Sequence, residues 1–328
     1  MSSTMECVSV GEANPDIAGL GIVIALAVQG GISVILSFWL IARDPLMGNS
    51  PLDRYNRQAE TSKATIEAAK GLIKGICDAQ IFAGTALLIA AFATKDSLTL
   101  YHWHVIYDIT NFTAISFCAA LVHVSYSGIN TCKSSEHYVR MTLSCVFAVM
   151  HLTFSIFFGR ALERWDWDTP GRCYNTRLVS HPGAAHPTVD RIYLGITCCY
   201  MQVCLIACLI TSFRNYYRDP FRSFDPDGID EGEPELEWVV MAGALYQYPI
   251  HLYMTVALRV SNESLLEGDS ENSWGFGQII SLVLVADTLI RCGRAVYDVS
   301  RSGSERKPRQ VEDGNVGEKQ LSPPGKPS

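Results

Sequence analysis

Residues 17–41, IAGLGIVIALAVQGGISVILSFWLI, contain no charged side chain, and their only polar residues with hydrogen-bonding side chains are Gln29, Ser33 and Ser37. A hydrocarbon core about 30 Å thick is crossed by about 20 apolar residues of helix. A helix also satisfies its own backbone hydrogen bonds where no water can. The stretch is therefore read as a membrane-spanning helix. Six further runs follow: Leu72–Thr94, Tyr101–Val124, Val139–Phe158, Ile192–Thr211, Trp238–Leu258 and Trp274–Ile290. Together they predict an all-α polytopic transmembrane helical bundle of about seven spans. A soluble all-α core would instead show amphipathic stripes, and these runs are apolar around most of their circumference.

This reading divides the chain into an N-terminal segment (1–16), a seven-helix domain (17–291) and a tail (292–328), largely disordered from Ser302 onward because it is rich in charge, Pro and Gly. Net charge is −7, so nucleic acid is not an expected partner. The lipid bilayer is, and the oligomeric state is left open. Positive residues collect in alternate loops: Arg43 to Lys70, Lys133, Arg214 to Arg222, and the tail from Arg291. The loop from Gly159 to Asp190, with four arginines, is the exception. The positive-inside rule then puts the N-terminus in the lumen and the C-terminus in the cytosol. The first sixteen residues hold no Lys or Arg, unlike a cleaved signal. The first span is expected to stay as an anchor, with the endoplasmic reticulum as the simplest address.

Two features agree with that orientation. Asn262-Glu263-Ser264 is a glycosylation sequon, and this topology makes it lumenal. Cys7 and Cys173 are the only cysteines expected on the lumenal side outside the spans, where an oxidising compartment permits a disulfide. Asp225-Pro226-Asp227-Gly228 begins like a calcium loop, but Ile229 and Asp230 break the pattern. No metal site and no cofactor are expected, and no internal repeat suggests a transporter built from duplicated halves.

Ionisable side chains inside spans are costly, about 2.5–3.5 kcal/mol on insertion scales, and persist when paired or used. A cytosolic-side group holds Lys74, Asp78, Gln80, Asp287 and Arg291. The spacings Lys74/Asp78 and Asp287/Arg291 suit ion pairs on one helix; Asp78 and Gln80 also suit a pocket. A lumenal-side group holds Asp16, His102, Trp103, His104, Asp108, Asn111, Gln247, His251, Trp274, Phe276 and Gln278. His104, Asp108 and Asn111 share one helical face, as do Gln247 and His251. An interfacial aromatic belt accounts for Tyr101 and Trp103. It does not account for Asp108, about two turns inside by helical geometry.

Several chemistries lack their residues. No HxxxH cluster, no Lys in the seventh run, no Asp-rich magnesium motif, no P-loop and no Gly-x-Ser-x-Gly elbow occur. Acid–base chemistry on an apolar substrate remains. A carboxyl group in an apolar site stays protonated and can donate that proton, and aromatic faces stabilise a nearby cation. The same constellation fits a ligand site or a proton path.

Asn14-Pro15-Asp16-Ile17-Ala18-Gly19, Asp78-Ala79-Gln80, Tyr101-His102-Trp103 and Trp274-Gly275-Phe276-Gly277-Gln278 resemble motifs of a family of filamentous-fungal polytopic membrane proteins. The resemblance covers roughly residues 14 to 290. That family is in turn similar to the integral-membrane terpene cyclases of fungal meroterpenoid pathways, of the ascofuranone and macrophorin kind. It implies ring closure on a farnesyl chain by protonation of an epoxide or olefin, with a lipophilic small molecule as substrate. It carries over no residue assignment. The expected acid is Asp108 or Asp78, with Asp16 third. His102, His104 or His251 would orient it or take the final proton. Trp103, Trp274 and Phe276 would shield the cation, and Asn111, Gln80, Gln247 and Gln278 would line the pocket. The alternative is a non-catalytic seven-helix receptor or transport-like protein; no NPxxY occurs in the seventh run to favour the receptor form.

Overall fold

A computed structural model describes residues 7–47, 57–126, 135–181, 184–217, 234–268 and 271–305. The acidic segment 225–233 and the tail 306–328 lie outside the described residues. The chain is all-α: α1 (Pro15–Ala18), α2 (Leu20–Met47), α3 (Arg57–Ala93), α4 (Leu100–Tyr126), α5 (Ser135–Leu162), α6 (Thr188–Tyr217), α7 (Pro234–Asn262) and α8 (Phe276–Glu305). Two residues each of β1 (Gly11–Glu12) and β2 (Leu266–Glu267) pair in parallel, Gly11 with Leu266 and Glu12 with Glu267. Among the described residues, four stretches are long and apolar enough to span a membrane: Pro15–Ala42, Thr65–Ala93, Tyr138–Leu162 and Thr188–Ile210.

Among the described residues, the central helix carries the most buried polar side chains. Every residue of α4 from 101 to 120 is buried, and the helix packs against α2, α3, α5, α6 and α7. Between positions 101 and 120 its His, Asp, Asn, Ser and Thr side chains face protein on all sides. The outer helices show the reverse pattern. Ile192, Ile196, Val203, Ile206 and Ile210 are exposed along α6, and Val139, Val146, Val149, Leu152 and Ile156 along α5. Apolar outer faces around a polar axis suit lipid, since soluble proteins rarely expose large contiguous apolar patches.

Boundaries differ from the apolar runs for physical reasons. The first run is broken at Gly19, which is extended (φ −63°, ψ 147°) between α1 and α2. The Gln278 side chain fills that break, its Oε1 accepting the Gly21 N–H at 3.0 Å. A Cβ on Gly19 would meet Gln278 Nε2 at 2.4 Å, so only glycine fits. Helix α8 continues past the expected boundary at 291 to Glu305. Hydropathy marks where a helix is apolar, not where it ends. Helix α3 likewise begins at Arg57, fifteen positions before the apolar run at Leu72.

The N-terminal segment, the α3–α4 turn, the α5–α6 loop and the α7–α8 loop meet at one end of the bundle. Leu100 N–H donates to Gly171 O at 2.8 Å, Gly171 N–H to Ser9 O at 2.9 Å, and Val10 N–H to Leu265 O at 3.2 Å. Cys7 and Cys173 are disulfide-bonded, with Cα atoms 5.7 Å apart and a sequence separation of 166. Asn262, the asparagine of the sequon, sits in this same region. Its side chain is fully buried. Nδ2 donates to Leu258 O (2.8 Å) and Asn175 O (3.1 Å), and Oδ1 accepts from Asn175 N–H (2.5 Å). A glycan on Nδ2 would displace both bonds and the neighbouring loop.

Candidate functional site

Inside the bundle, α4 places His104 and Asp108 one turn apart, both with no exposed surface. Asp108 Oδ1 accepts the Tyr193 hydroxyl from α6 at 2.7 Å and lies 2.8 Å from His251 Nδ1 of α7. Tyr193 Oη and His251 Nδ1 are themselves 2.7 Å apart. Asp108 Oδ2 has His104 Nε2 at 3.6 Å, too far for a hydrogen bond. On its other side, His104 Nδ1 meets the Tyr174 hydroxyl at 2.9 Å. Tyr174 donates to Asp190 Oδ1 at 2.6 Å, and Asp190 Oδ2 lies 2.5 Å from His186 Nδ1. His186 Nε2 is 2.7 Å from Ser180 Oγ. Burial first, then the charge of Asp190, push the Tyr174 phenol well above its ordinary range, so it stays a neutral donor.

Rings close around the acid. Tyr107 stacks on His151 at 5.9 Å and meets Tyr193 and His251 edge-on at 6.3 and 6.0 Å. Phe158 lies 5.3 Å from the His104 ring and 5.7 Å from Tyr107. Pro249, two residues before His251, lies inside α7 and cannot donate to the carbonyl one turn back. Tyr248 brings α7 onto α2, donating to Ala27 O at 2.8 Å. A Cβ on Gly31 would sit 2.8 Å from that hydroxyl oxygen, so a glycine permits the approach.

The defining property of this interior is unused hydrogen-bonding capacity. Asp108 Oδ2, His104 Nε2, His251 Nε2, His151 Nε2, Asn111 Oδ1 and Gln247 Oε1 are buried and find no hydrogen-bond partner among the described residues. Buried polar atoms are ordinarily paired, and each unpaired one costs about 1–3 kcal/mol.

Of the expected acids and bases, Asp108, His104 and His251 are brought together, with Asn111 and Gln247 contributing unpartnered buried oxygens. The others are elsewhere. Asp78 is clasped by Arg140 of α5, Nε to Oδ1 at 2.5 Å and Nη2 to Oδ2 at 2.7 Å. Both of its oxygens accept from a guanidinium. Asp16 is exposed on α1, against Gly275 and Gly277. His102 is held between Thr99 Oγ1 (2.8 Å) and Glu271 Oε1 (3.1 Å).

The expected pocket-lining residues divide in the same way. Gln80 Nε2 ties α3 to Leu26 O of α2 at 2.9 Å. Gln278 Nε2 donates to Glu271 O (3.1 Å) and Ser273 O (2.7 Å), so it links α2 to the α7–α8 loop. Trp103 stacks on Phe154 of α5 at 4.7 Å. Trp274 is 63 % exposed. Phe276 opens α8, and its side chain lies outside the described residues.

Sequence reading missed Tyr174, Asp190, His186 and Tyr193, which complete the core cluster, and Glu271, which organises the rim. Tyr101 Oη donates to Glu271 Oε2 at 2.8 Å and Arg259 Nη1 donates to the same oxygen at 2.9 Å. No group of His, Cys, Asp and Glu suited to hold a metal occurs among the described residues. No protein-family model, no curated protein and no solved structure matches this chain.

Proposed function

We propose that this chain is an integral-membrane terpene cyclase of secondary metabolism, acting on a farnesyl-type meroterpenoid by acid protonation of an epoxide or olefin. In this reading it spans the endoplasmic reticulum membrane seven times, with its N-terminus lumenal and C-terminus cytosolic. The observation that carries it is Asp108: a fully buried carboxyl group with one oxygen holding two partners and the other free. The proton resides on Oδ2. Tyr193 and His251 donate to Oδ1 and stabilise the carboxylate left when the proton departs. Proton transfer to the substrate forms one C–H or O–H bond and leaves a carbocation. The faces of Tyr107, Tyr193 and Phe158 stabilise that cation while an internal double bond closes the ring. His251 Nε2, which bears no hydrogen while Nδ1 donates to Asp108 and which has no partner among the described residues, takes the terminating proton. The product is then an isomer of the substrate. The sequence resemblance and the partition of the chain into a lipid-facing shell and a polar axis support the same reading.

Microsomes bearing the chain and supplied with farnesylated epoxides test it. A cyclised product of unchanged mass is expected. Asp108→Asn is expected to reduce turnover by about 10²–10⁴, the usual worth of a positioned general acid. Lack of product across a panel of such substrates would overturn the enzyme reading and favour the receptor or transport-like alternative. One feature suits that alternative: the complete burial of His104, Asp108 and His251, which fits a ligand or ion site opened by helix movement.

A further inference from the structure

The chain of contacts running outward from His104 has no part in the protonation step itself, yet each of its links is a hydrogen-bond contact. It passes from His104 on α4 to Tyr174 in the α5–α6 loop, then to Asp190 at the start of α6, then to His186 and Ser180 in the loop. Asp108 is sealed, so a proton lost to substrate has no direct return from solvent. Asp190 and Asp108 are both buried carboxyl groups, and a histidine and a tyrosine, each able to accept and release a proton at once, stand between them.

We propose that Asp190 and Asp108 share one proton through Tyr174 and His104, and that this relay recharges Asp108 from the end of the bundle where the N-terminal segment lies. The inference rests on the reading of Asp108 as an acid. Each hop breaks one bond to hydrogen and makes another. Asp190 Oδ1–H passes its proton to the Tyr174 oxygen, the Tyr174 hydroxyl passes its own to His104 Nδ1, and His104 Nε2–H passes its own to Asp108 Oδ2. Tyr174 and His104 finish neutral, His104 as its other tautomer, which must revert to the Nε2–H form before a second proton passes. Asp190 finishes as carboxylate and Asp108 as acid. His186, whose Nδ1 faces Asp190 Oδ2, then restores the proton to Asp190, and Ser180 connects His186 Nε2 to the loop. The observed polarity, with the Tyr174 hydroxyl donating to Asp190, is the one left after the proton has reached Asp108. The one gap is His104 Nε2 to Asp108 Oδ2 at 3.6 Å, which a small rotation of either side chain closes.

The test uses hydrogen–deuterium exchange, read by infrared spectroscopy on the full chain in lipid vesicles, and needs no substrate. The protonated carboxyl band lost in Asp108→Asn identifies the Asp108 proton. After transfer to D₂O, that band shifts in wild type at the rate the relay permits. Tyr174→Phe keeps the ring and removes the proton carrier, and His186→Gln keeps hydrogen bonding without titration. Both are expected to retain the band and slow its shift about tenfold or more, exchange then requiring local opening of the structure. An unchanged rate in Tyr174→Phe, with the band present, overturns the relay and leaves the acid reading standing. A wild type with no band assignable to Asp108 overturns the acid reading, and the relay with it.

Discussion

The bundle carries two polar clusters a short way apart along α4, and they are built on opposite principles. At the rim, Tyr101, His102, Glu271 and Gln278 have a partner for every side-chain polar atom, and Arg259 bonds Glu271 and Asn272; Glu271 alone accepts from Tyr101 and Arg259 and bonds His102. In the core, Asp108, His104, His251, His151, Asn111 and Gln247 each keep one buried polar atom without a partner. Residue types do not separate the two, since each contains acid, histidine and amide. Satisfaction does. A fully paired network fixes structure, and a partly paired one stores the capacity to bind or react. The rim therefore ties the ends of α4, α7 and α8 together, and the core is where chemistry is placed.

Substituting the two acids in parallel tests that division most sharply. Asp108→Asn keeps an oxygen to accept from Tyr193 and replaces Oδ2 with an amide nitrogen facing His104. It should leave thermal stability nearly unchanged while turnover falls about 10²–10⁴. Glu271→Ala strands Arg259, His102 and Tyr101 without their common acceptor. Breaking a buried ion pair from one side costs about 3–5 kcal/mol, so it should lower the unfolding midpoint strongly and leave turnover per folded molecule intact. A reversal of these phenotypes, read from a denaturation curve and an assay on the same preparation, would exchange the roles assigned to core and rim.

The next effect is covalent. Cys7–Cys173 closes a loop of 166 residues over the rim, and a disulfide of this kind contributes about 2–4 kcal/mol. Cys7→Ser is expected to destabilise by that amount. The double variant with Cys173→Ser should be no worse, because either change removes the same bond. Activity at low temperature should persist in both, since the bond lies at the rim. Unfolding in detergent, with and without reductant, measures each.

The sequence showed the core more clearly than its completion. His104, Asp108 and Asn111 are legible because helical spacing puts them on one face, and Gln247 and His251 for the same reason. Tyr193 and Tyr174 are not, because a tyrosine at the start of an apolar run reads as an interfacial anchor and one in a loop reads as surface. Glu271 stands in a stretch with Glu267 and Asp269, which resembles a solvated acidic turn until Arg259 is seen beside it. One signal was available: Arg140 lies inside the run Val139–Phe158, and a guanidinium at a span's edge needs a carboxylate. Its partner is Asp78, 62 residues earlier. Gln80 and Gln278 act in helix joining, at Leu26 O and Gly21 N–H.

The smallest effect supplies the control. Arg291 Nε donates to Asp287 Oδ2 at 2.7 Å on α8, the pair expected from its i,i+4 spacing. It resembles the Arg259–Glu271 contact in chemistry and distance. The difference is exposure: 63 % and 56 % for Arg291 and Asp287, against 12 % and 4 % for Arg259 and Glu271. An exposed pair is screened by water and salt and contributes about 0–1 kcal/mol. Arg291→Ala should therefore shift the unfolding midpoint barely at all, and less still in high salt, while Arg259→Ala shifts it strongly at any ionic strength. Equal shifts in the two variants would mean that burial does not set the strength of these contacts. The contrast between a paired rim and an unpaired core would then lose its physical basis, because both rest on the cost of leaving polar groups unsatisfied away from water.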